Sequence, residues 1–237
     1  MKKLFFETID STNSYLKRNY QNLEDMTFIS ASFQSEGRGR MGRSWMSEKG
    51  RNLTFSLLVK DPEVMKEYAK LSVLSAFSIA EVLKDYEIHD VSIKWPNDVY
   101  VKDAKICGIL LEAVSAEEMK CLIIGIGLNV NEENFSEAFL CKATSMKLCT
   151  GKEIDLEELK EAVYQRLADN IVKMKRGEDF YERIAVLDYL KGKKSFCHID
   201  DEDRQIEVLG IDRDCSLKVL CAGIVRNLSS SEITFHI

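Results

Sequence analysis

The periodicity of apolar residues changes sharply partway along the chain, and this constrains the fold more than any other feature. Between residues 65 and 86 the apolar positions Ala69, Leu71, Val73, Leu74, Phe77, Ile79, Ala80, Val82 and Leu83 follow a helical repeat dense enough for a largely buried helix. Immediately afterwards the repeat becomes two. Residues 91–94, 99–101, 106–114 and 121–126 read as strands, with Lys102-Asp103-Ala104-Lys105 and Ala116-Glu117-Glu118 as hairpin turns. Sequential hairpins beside a buried helix imply an antiparallel or mixed sheet, not a doubly wound parallel one.

The flanking segments extend this pattern. Asp10-Ser11-Thr12-Asn13 supplies consecutive cap-type residues before Tyr15 and Leu16, so a helix is expected from there. Residues 26–33 and 53–60 read as strands. Residues 156–175 read as a charged helix that ends near Gly177, and residues 178–191 as another. Beyond Gly192 the texture is of short alternating strands at 195–199, 205–211, 217–220, 223–226 and 232–236, separated by Asp-rich and Ser-rich turns, which suits a small β-barrel. The expected division is 1–190 and 191–237. No Pro/Ser/Gly linker separates the two parts, so they are expected to pack together.

Bulk properties exclude several function classes. The 237 residues are 45% hydrophobic and 30% charged, which rules out a disordered chain. No apolar run suits a membrane helix, and the first residues turn acidic too soon for a secretory signal, so a cytoplasmic protein without membrane contact is expected. Seven cysteines without a Cys-x-x-Cys pair are expected to be reduced, and three histidines at unrelated spacings give no metal or triad pattern. The net charge of -6 disfavours a general nucleic-acid binder.

Against that acidic background, residues 37–51 (GRGRMGRSWMSEKGR) carry five basic side chains and one acidic one. Arginines spaced by glycines can close guanidinium groups around an anion from several sides, and the loop is expected to hold phosphate, with Trp45 available for stacking. Lys94-Trp95-Pro96-Asn97-Asp98 is a second candidate, in which Asp98 completes a turn, orients a cationic side chain or holds a nucleotide-borne magnesium ion. Lys105 is either a solvated turn residue or a cation beside a pocket. In Gly125-Ile126-Gly127-Leu128-Asn129 the two glycines share a face, leaving a flat slot suited to a thin apolar ring, with Asn129 at its end.

Ser-Thr-Asn, Gly-Arg-Gly-Arg-x-Gly-Arg-x-Trp, Lys-Trp-Pro-Asn-Asp, Lys-x-x-Gly-Ile-Leu-x-Glu and Gly-x-Gly-x-Asn-Val occur in that order over residues 11–131. Together they resemble the biotin protein ligases, in a short form without an N-terminal DNA-binding domain. The resemblance implies an α+β fold: a mixed-sheet catalytic domain of the biotin/lipoate ligase type with helices on one face, then a small SH3-like β-barrel. It also implies a two-step reaction in which biotin and ATP, with Mg2+, form biotinyl-5'-AMP and pyrophosphate, after which a lysine of a biotin carboxyl carrier protein domain takes the biotinyl group. The enzyme so implied is a biotin-[acetyl-CoA carboxylase] ligase without a tightly bound prosthetic group.

Carried onto this chain, the resemblance makes Lys105, Arg38 and Arg40 catalytic. Biotin would meet Ser11, Thr12, Asn13, Gln34, Arg38, Gly39, Arg40, Lys105, Gly108, Gly125 and Gly127. The adenylate would meet Arg38, Arg40, Arg43, Trp45, Asn97, Asp98, Lys105 and Asn129, with no metal site fixed beyond Mg2+ near Asp98. Met41 stands where many relatives carry another basic residue, and Ser230-Ser231 where the family often has two glycines. With the first helix starting near residue 11, no repressor function or DNA binding is expected; a homodimer is open. The rivals are a lipoate or octanoate ligase or transferase of the same fold, and a single-stranded RNA binder using Arg38, Arg40, Arg43 and Trp45.

Overall fold

The structure, a computed structural model, describes residues 2–135, 142–199, 202–229 and 235–236. Strand β1 (Lys3–Phe6) leads to helix α1 (Thr12–Asn19), followed by β2 (Thr27–Ala31), β3 (Leu53–Val59), α2 (Pro62–Lys66) and α3 (Tyr68–Asp85). Strands β4 (Val91–Lys94), β5 (Asp98–Val101), β6 (Ala104–Ser115) and β7 (Met119–Leu128) come next. After α4 (Met146–Thr150), α5 (Leu156–Lys175) and α6 (Tyr181–Ala185) lie β8 (Lys194–Ile199), β9 (Glu202–Ile211), β10 (Leu217–Cys221), β11 (Ile224–Leu228) and β12 (Phe235–His236).

The first seven strands form one sheet in the order β1-β2-β3-β7-β6-β5-β4. Only β1 and β2 run parallel; the other pairings are antiparallel, so the sheet is mixed, as the hairpin pattern implied. The remaining strands form an antiparallel sheet, β11-β10-β9-β8-β12, where the SH3-like unit was expected.

Alternation along the strands divides the core in two. Phe28, Leu57, Leu122 and Ile124 face one side with α3 and α5, where Tyr164 of α5 stacks on Phe28 at a centroid distance of 4.3 Å. Ile29, Leu58 and Ile123 face the other side and pack against Leu16 of α1. The long helices thus share one face as expected, while short α1 covers the other. The physical reason is that β2, β3 and β7 are buried on both faces, and an uncovered apolar face would remain in water.

Two expected helices differ from those observed. The 65–86 segment is interrupted at Glu67, which caps α2 before α3 begins. The second helix expected at 178–191 shrinks to Tyr181–Ala185, because residues 187–189 pair with the exposed edge of β4. Ile93 N–H donates to Leu187 O, and Tyr189 N–H donates to Ile93 O. Asp188 then ties this turn to the second sheet by accepting from Leu190 N–H and Ile211 N–H, each at 2.9 Å. Sheet pairing and a buried acceptor outweigh helix propensity here.

The larger core cluster runs without a break into the second sheet, through Trp95, Leu187, Leu190, Val208 and Val219. Trp95 Nε1 also donates to Cys215 O at 2.8 Å. The described cysteines are all free; Cys149 is exposed, and Cys141 lies outside the described residues. Ser230 and Ser231 lie outside them as well. Among the described residues, no helix is long and apolar enough to cross a membrane.

Candidate functional site

An open cleft with about 470 Å³ of empty space lies on the α1 side of the large sheet. Strand register builds its floor. Gly108, Gly127 and Thr54 are paired across β6, β7 and β3, and Leu110, Gly125 and Ser56 form the next row. The glycines do leave the floor bare, but the protein's own side chains rest on it. A Cβ at Gly127 would lie 2.3 Å from Cε2 of Trp45, and one at Gly125 would lie 2.3 Å from Oδ1 of Asn13. The ring that lies on the slot is therefore the indole of Trp45.

One end of the cleft is polar. Ser11 caps α1, and Gln34 Oε1 accepts from Thr12 N–H at 2.8 Å and lies 3.0 Å from Thr12 Oγ1. Ser11, Thr12, Asn13 and Ser56 are all buried here, so each polar atom needs a partner within the site. Asn13 Nδ2 donates to Glu112 Oε2 at 2.8 Å, and Lys17, one helical turn later, reaches Glu112 Oε1 at 2.6 Å. Arg38 lies 3.4 Å from the same carboxylate. Burial pushes the Glu112 carboxyl upward, but hydrogen bonds from Lys17 and Asn13 and the charges of Lys17 and Arg38 outweigh it, leaving the group below its ordinary range.

That shift has a measurable sign. A carboxyl depressed in the folded state contributes stability above its unfolded value, about 4.3, and loses it as pH falls through the folded value. Urea unfolding is expected to show wild type more stable than Glu112→Gln at pH 7. The gap should begin to narrow as pH drops below about 4.3 and close only below the depressed folded value.

The basic loop is ordered as a hairpin. Trp45 N–H donates to Gly37 O at 2.9 Å and Gly39 N–H to Arg43 O at 2.7 Å, with Met41 and Gly42 in left-handed conformations at the tip. At Gly37 the need for glycine is intramolecular, because a Cβ there would meet Trp45 O at 2.2 Å. Arg40 leans inward and donates to Asn97 Oδ1 at 2.9 Å. Burial lowers the pKa of its guanidinium, which nevertheless stays charged. Asn97 Nδ2 in turn donates to Asp98 Oδ1 and Ile109 O, and Asp98 pairs with Lys105 at 2.7 Å. Lys105 also lies 5.8 Å from the Trp45 ring centroid. The result is a half-buried cluster of Arg40 and Lys105 around Asn97 and Asp98, with Arg38 opposite.

Ser11, Thr12, Asn13, Gln34, Arg38, Gly39, Arg40, Trp45, Asn97, Lys105, Gly108, Gly125 and Gly127 all line this one cleft. Arg43, Asp98 and Asn129 do not. Arg43 sits outside the cleft, where its carbonyl closes the hairpin; Asp98 stands behind Lys105. Asn129 follows the end of β7 and braces the next segment, donating from Nδ2 to Thr144 O at 3.0 Å. Sequence reasoning left unassigned Phe55, Ser56, Ile109, Leu110, Lys17 and Glu112. Of these, Ile109, Leu110 and Glu112 carried a signal as members of the Lys-x-x-Gly-Ile-Leu-x-Glu motif; Lys17, Phe55 and Ser56 enter through strand register and helix phase.

Comparison with known proteins places this cleft in a family. The model of the biotin/lipoate A/B protein ligase family matches residues 5–129. The bifunctional ligase/repressor BirA of Escherichia coli (strain K12) is 28% identical over 231 residues, covering 96% of this chain and 72% of that protein. BirA of Bacillus subtilis is 33% identical over 137 residues, 56% of this chain and 42% of the relative, so the match spans under half of that protein. A biotin protein ligase from Aquifex aeolicus, solved with biotin and ATP, superposes with a TM-score of 0.88 at 28% identity, covering 99% of this chain and 98% of that one. The match encloses every cleft residue named above, and with it the chain belongs to the biotin/lipoate A/B protein ligase family.

Proposed function

We propose that this chain is a biotin protein ligase that activates biotin with ATP and transfers the biotinyl group to a lysine of a biotin carrier domain, acting as a biotin-[acetyl-CoA carboxylase] ligase. The observation that carries the reading is one cleft with a polar end at buried Thr12 and half-buried Gln34 and cations at Arg38, Arg40 and Lys105. In the first step a biotin carboxylate oxygen bonds to the α-phosphorus of ATP and pyrophosphate leaves. Two anions must meet, so the main barrier is electrostatic, and Lys105 and Arg40 are placed to lower it. In the second step the amine of the acceptor lysine bonds to the anhydride carbonyl carbon, AMP leaves, and the amine gives up a proton.

Magnesium fits this site as an ion carried by the nucleotide. Among the described residues no cluster of three His, Cys, Asp or Glu side chains exists, and Asp98 supplies a single carboxylate beside the cations. Such an ion would be held chiefly by the nucleotide that carries it and would offset charge on the leaving pyrophosphate. The hairpin's task is to screen the anhydride from water, with Arg38 and Arg40 above it.

The test is pyrophosphate exchange into ATP, measured separately with biotin, lipoate and octanoate, followed by the mass of an added carrier domain. Biotin-dependent exchange and a single biotinyl addition are expected; exchange driven by lipoate alone overturns the proposal. Replacing Arg40 by glycine removes the Asn97 contact and a cation above the anhydride. Release of biotinyl-5'-AMP should then rise, read as labelling of lysines on a bystander protein, whereas unchanged retention would remove the hairpin's role as a cover.

A further inference from the structure

Ser56 has one proton and two neighbours competing for it. Its Oγ lies 2.7 Å from Thr12 Oγ1 and 2.5 Å from Asn13 Oδ1. Ser56 is fully buried and Thr12 and Asn13 are each 3% exposed, so water does not decide the matter.

The direction of that proton is settled on the far side of Asn13. A carboxylate only accepts, so Glu112 at 2.8 Å, with a longer 3.5 Å contact from the Leu110 carbonyl beside it, turns the amide nitrogen of Asn13 toward itself and the amide oxygen toward Ser56. An amide oxygen cannot donate. The serine proton therefore goes to Asn13, and the short contact between the two hydroxyls is held only if Thr12 donates to Ser56. The longer 3.0 Å approach of Thr12 Oγ1 to Gln34 Oε1 loses that proton, and Gln34 Oε1 keeps the backbone N–H of Thr12. Two groups are left for a ligand: the lone pairs of Thr12 Oγ1 and the amide hydrogens of Gln34 Nε2.

We propose that Glu112, which does not line the cleft, is a positioning residue for ligand recognition. Through Asn13 and Ser56 it sets the direction of the hydroxyl chain, so that the Thr12 end of the cleft presents an acceptor beside a donor. That pattern complements one edge of a cyclic urea, where an N–H adjoins a carbonyl. A pocket whose polarity is set in advance binds such an edge without reorganising its own hydrogens. This inference rests on the biotin reading above and extends recognition to a residue behind the pocket wall.

A double-mutant cycle on the full chain tests it, with biotin affinity measured by isothermal titration for wild type, Glu112→Ala, Asn13→Ala and the double variant. Glu112→Ala is expected to weaken biotin about tenfold or more, and to add less than about threefold once Asn13 is alanine. Equal losses in both backgrounds, or no loss, overturn the proposal. Lys17→Met removes the ion pair but leaves the Asn13–Glu112 bond, so its affinity should stay within about threefold of wild type. A loss matching Glu112→Ala would assign the effect to charge and overturn the chain of protons. Should Glu112→Ala not fold, Ser56→Ala interrupts the same chain and should show the same dependence on Asn13. A wild-type chain that does not bind biotin overturns the functional reading and this inference together; binding with additive losses overturns this inference alone.

Discussion

Replacing Lys105 by alanine is expected to slow biotin-dependent pyrophosphate exchange about 100- to 1,000-fold, the loss that accompanies removal of one preorganised charge-stabilising group. As a lysine beside a hairpin turn it would be dispensable to the fold. The structure places it otherwise: its side chain is 23% exposed, it pairs with Asp98, and it approaches the Trp45 ring. A stability loss of about 1–2 kcal/mol should therefore accompany the catalytic one, less than the roughly 2.7–4 kcal/mol that the rate effect represents. Transfer of the biotinyl group from added biotinyl-5'-AMP to a carrier lysine should fall less than exchange, because the anhydride then needs no meeting of anions. Exchange at the wild-type rate would remove Lys105 from the reaction.

The second large effect is expected at Gly127. In Gly127→Ala the new methyl would sit 2.3 Å from Cε2, 2.5 Å from Cζ2 and 2.7 Å from Nε1 of Trp45. An indole is a rigid plate, so it must lift as a whole, and the hairpin held by Trp45 N–H to Gly37 O lifts with it. Overpacking of this kind costs about 1–3 kcal/mol. Because the hairpin carries Arg38 and Arg40, exchange should fall at least about tenfold as their placement is lost. Trp45 fluorescence reports the movement directly, with Trp45→Phe as the blank for Trp95, which is buried and bonded to Cys215 O. Unchanged fluorescence and exchange would show that the indole does not depend on a bare floor.

Most of the strands were legible in the sequence because alternation survives wherever a strand has unlike faces. The second helix of the 156–191 region was not, since what ends it is the unpaired edge of β4, more than eighty residues earlier in the chain. The cover of α1 on the second face escaped notice for a related reason: its short apolar pattern does not say which surface it meets. Of the site, the residues that share motifs were found, and Arg43 and Asn129 show the limit of that approach. Each belongs to a motif, yet neither lines the cleft: the Arg43 carbonyl closes the hairpin, and Asn129 Nδ2 bonds Thr144 O.

The sequence by itself determined the mixed α+β architecture, the concentration of positive charge between two strands and the set of motifs that mark the family. These are local properties, written in periodicity and in neighbouring residue types. Only the tertiary structure decided what lies on the glycine floor, which cations face one another, and that Glu112 joins Asn13, Lys17 and Arg38 behind the pocket. Those relations depend on strand register and helix phase, which place residues 95 and 99 positions apart within hydrogen-bonding distance, and a shift of one residue in either would send the same side chains elsewhere.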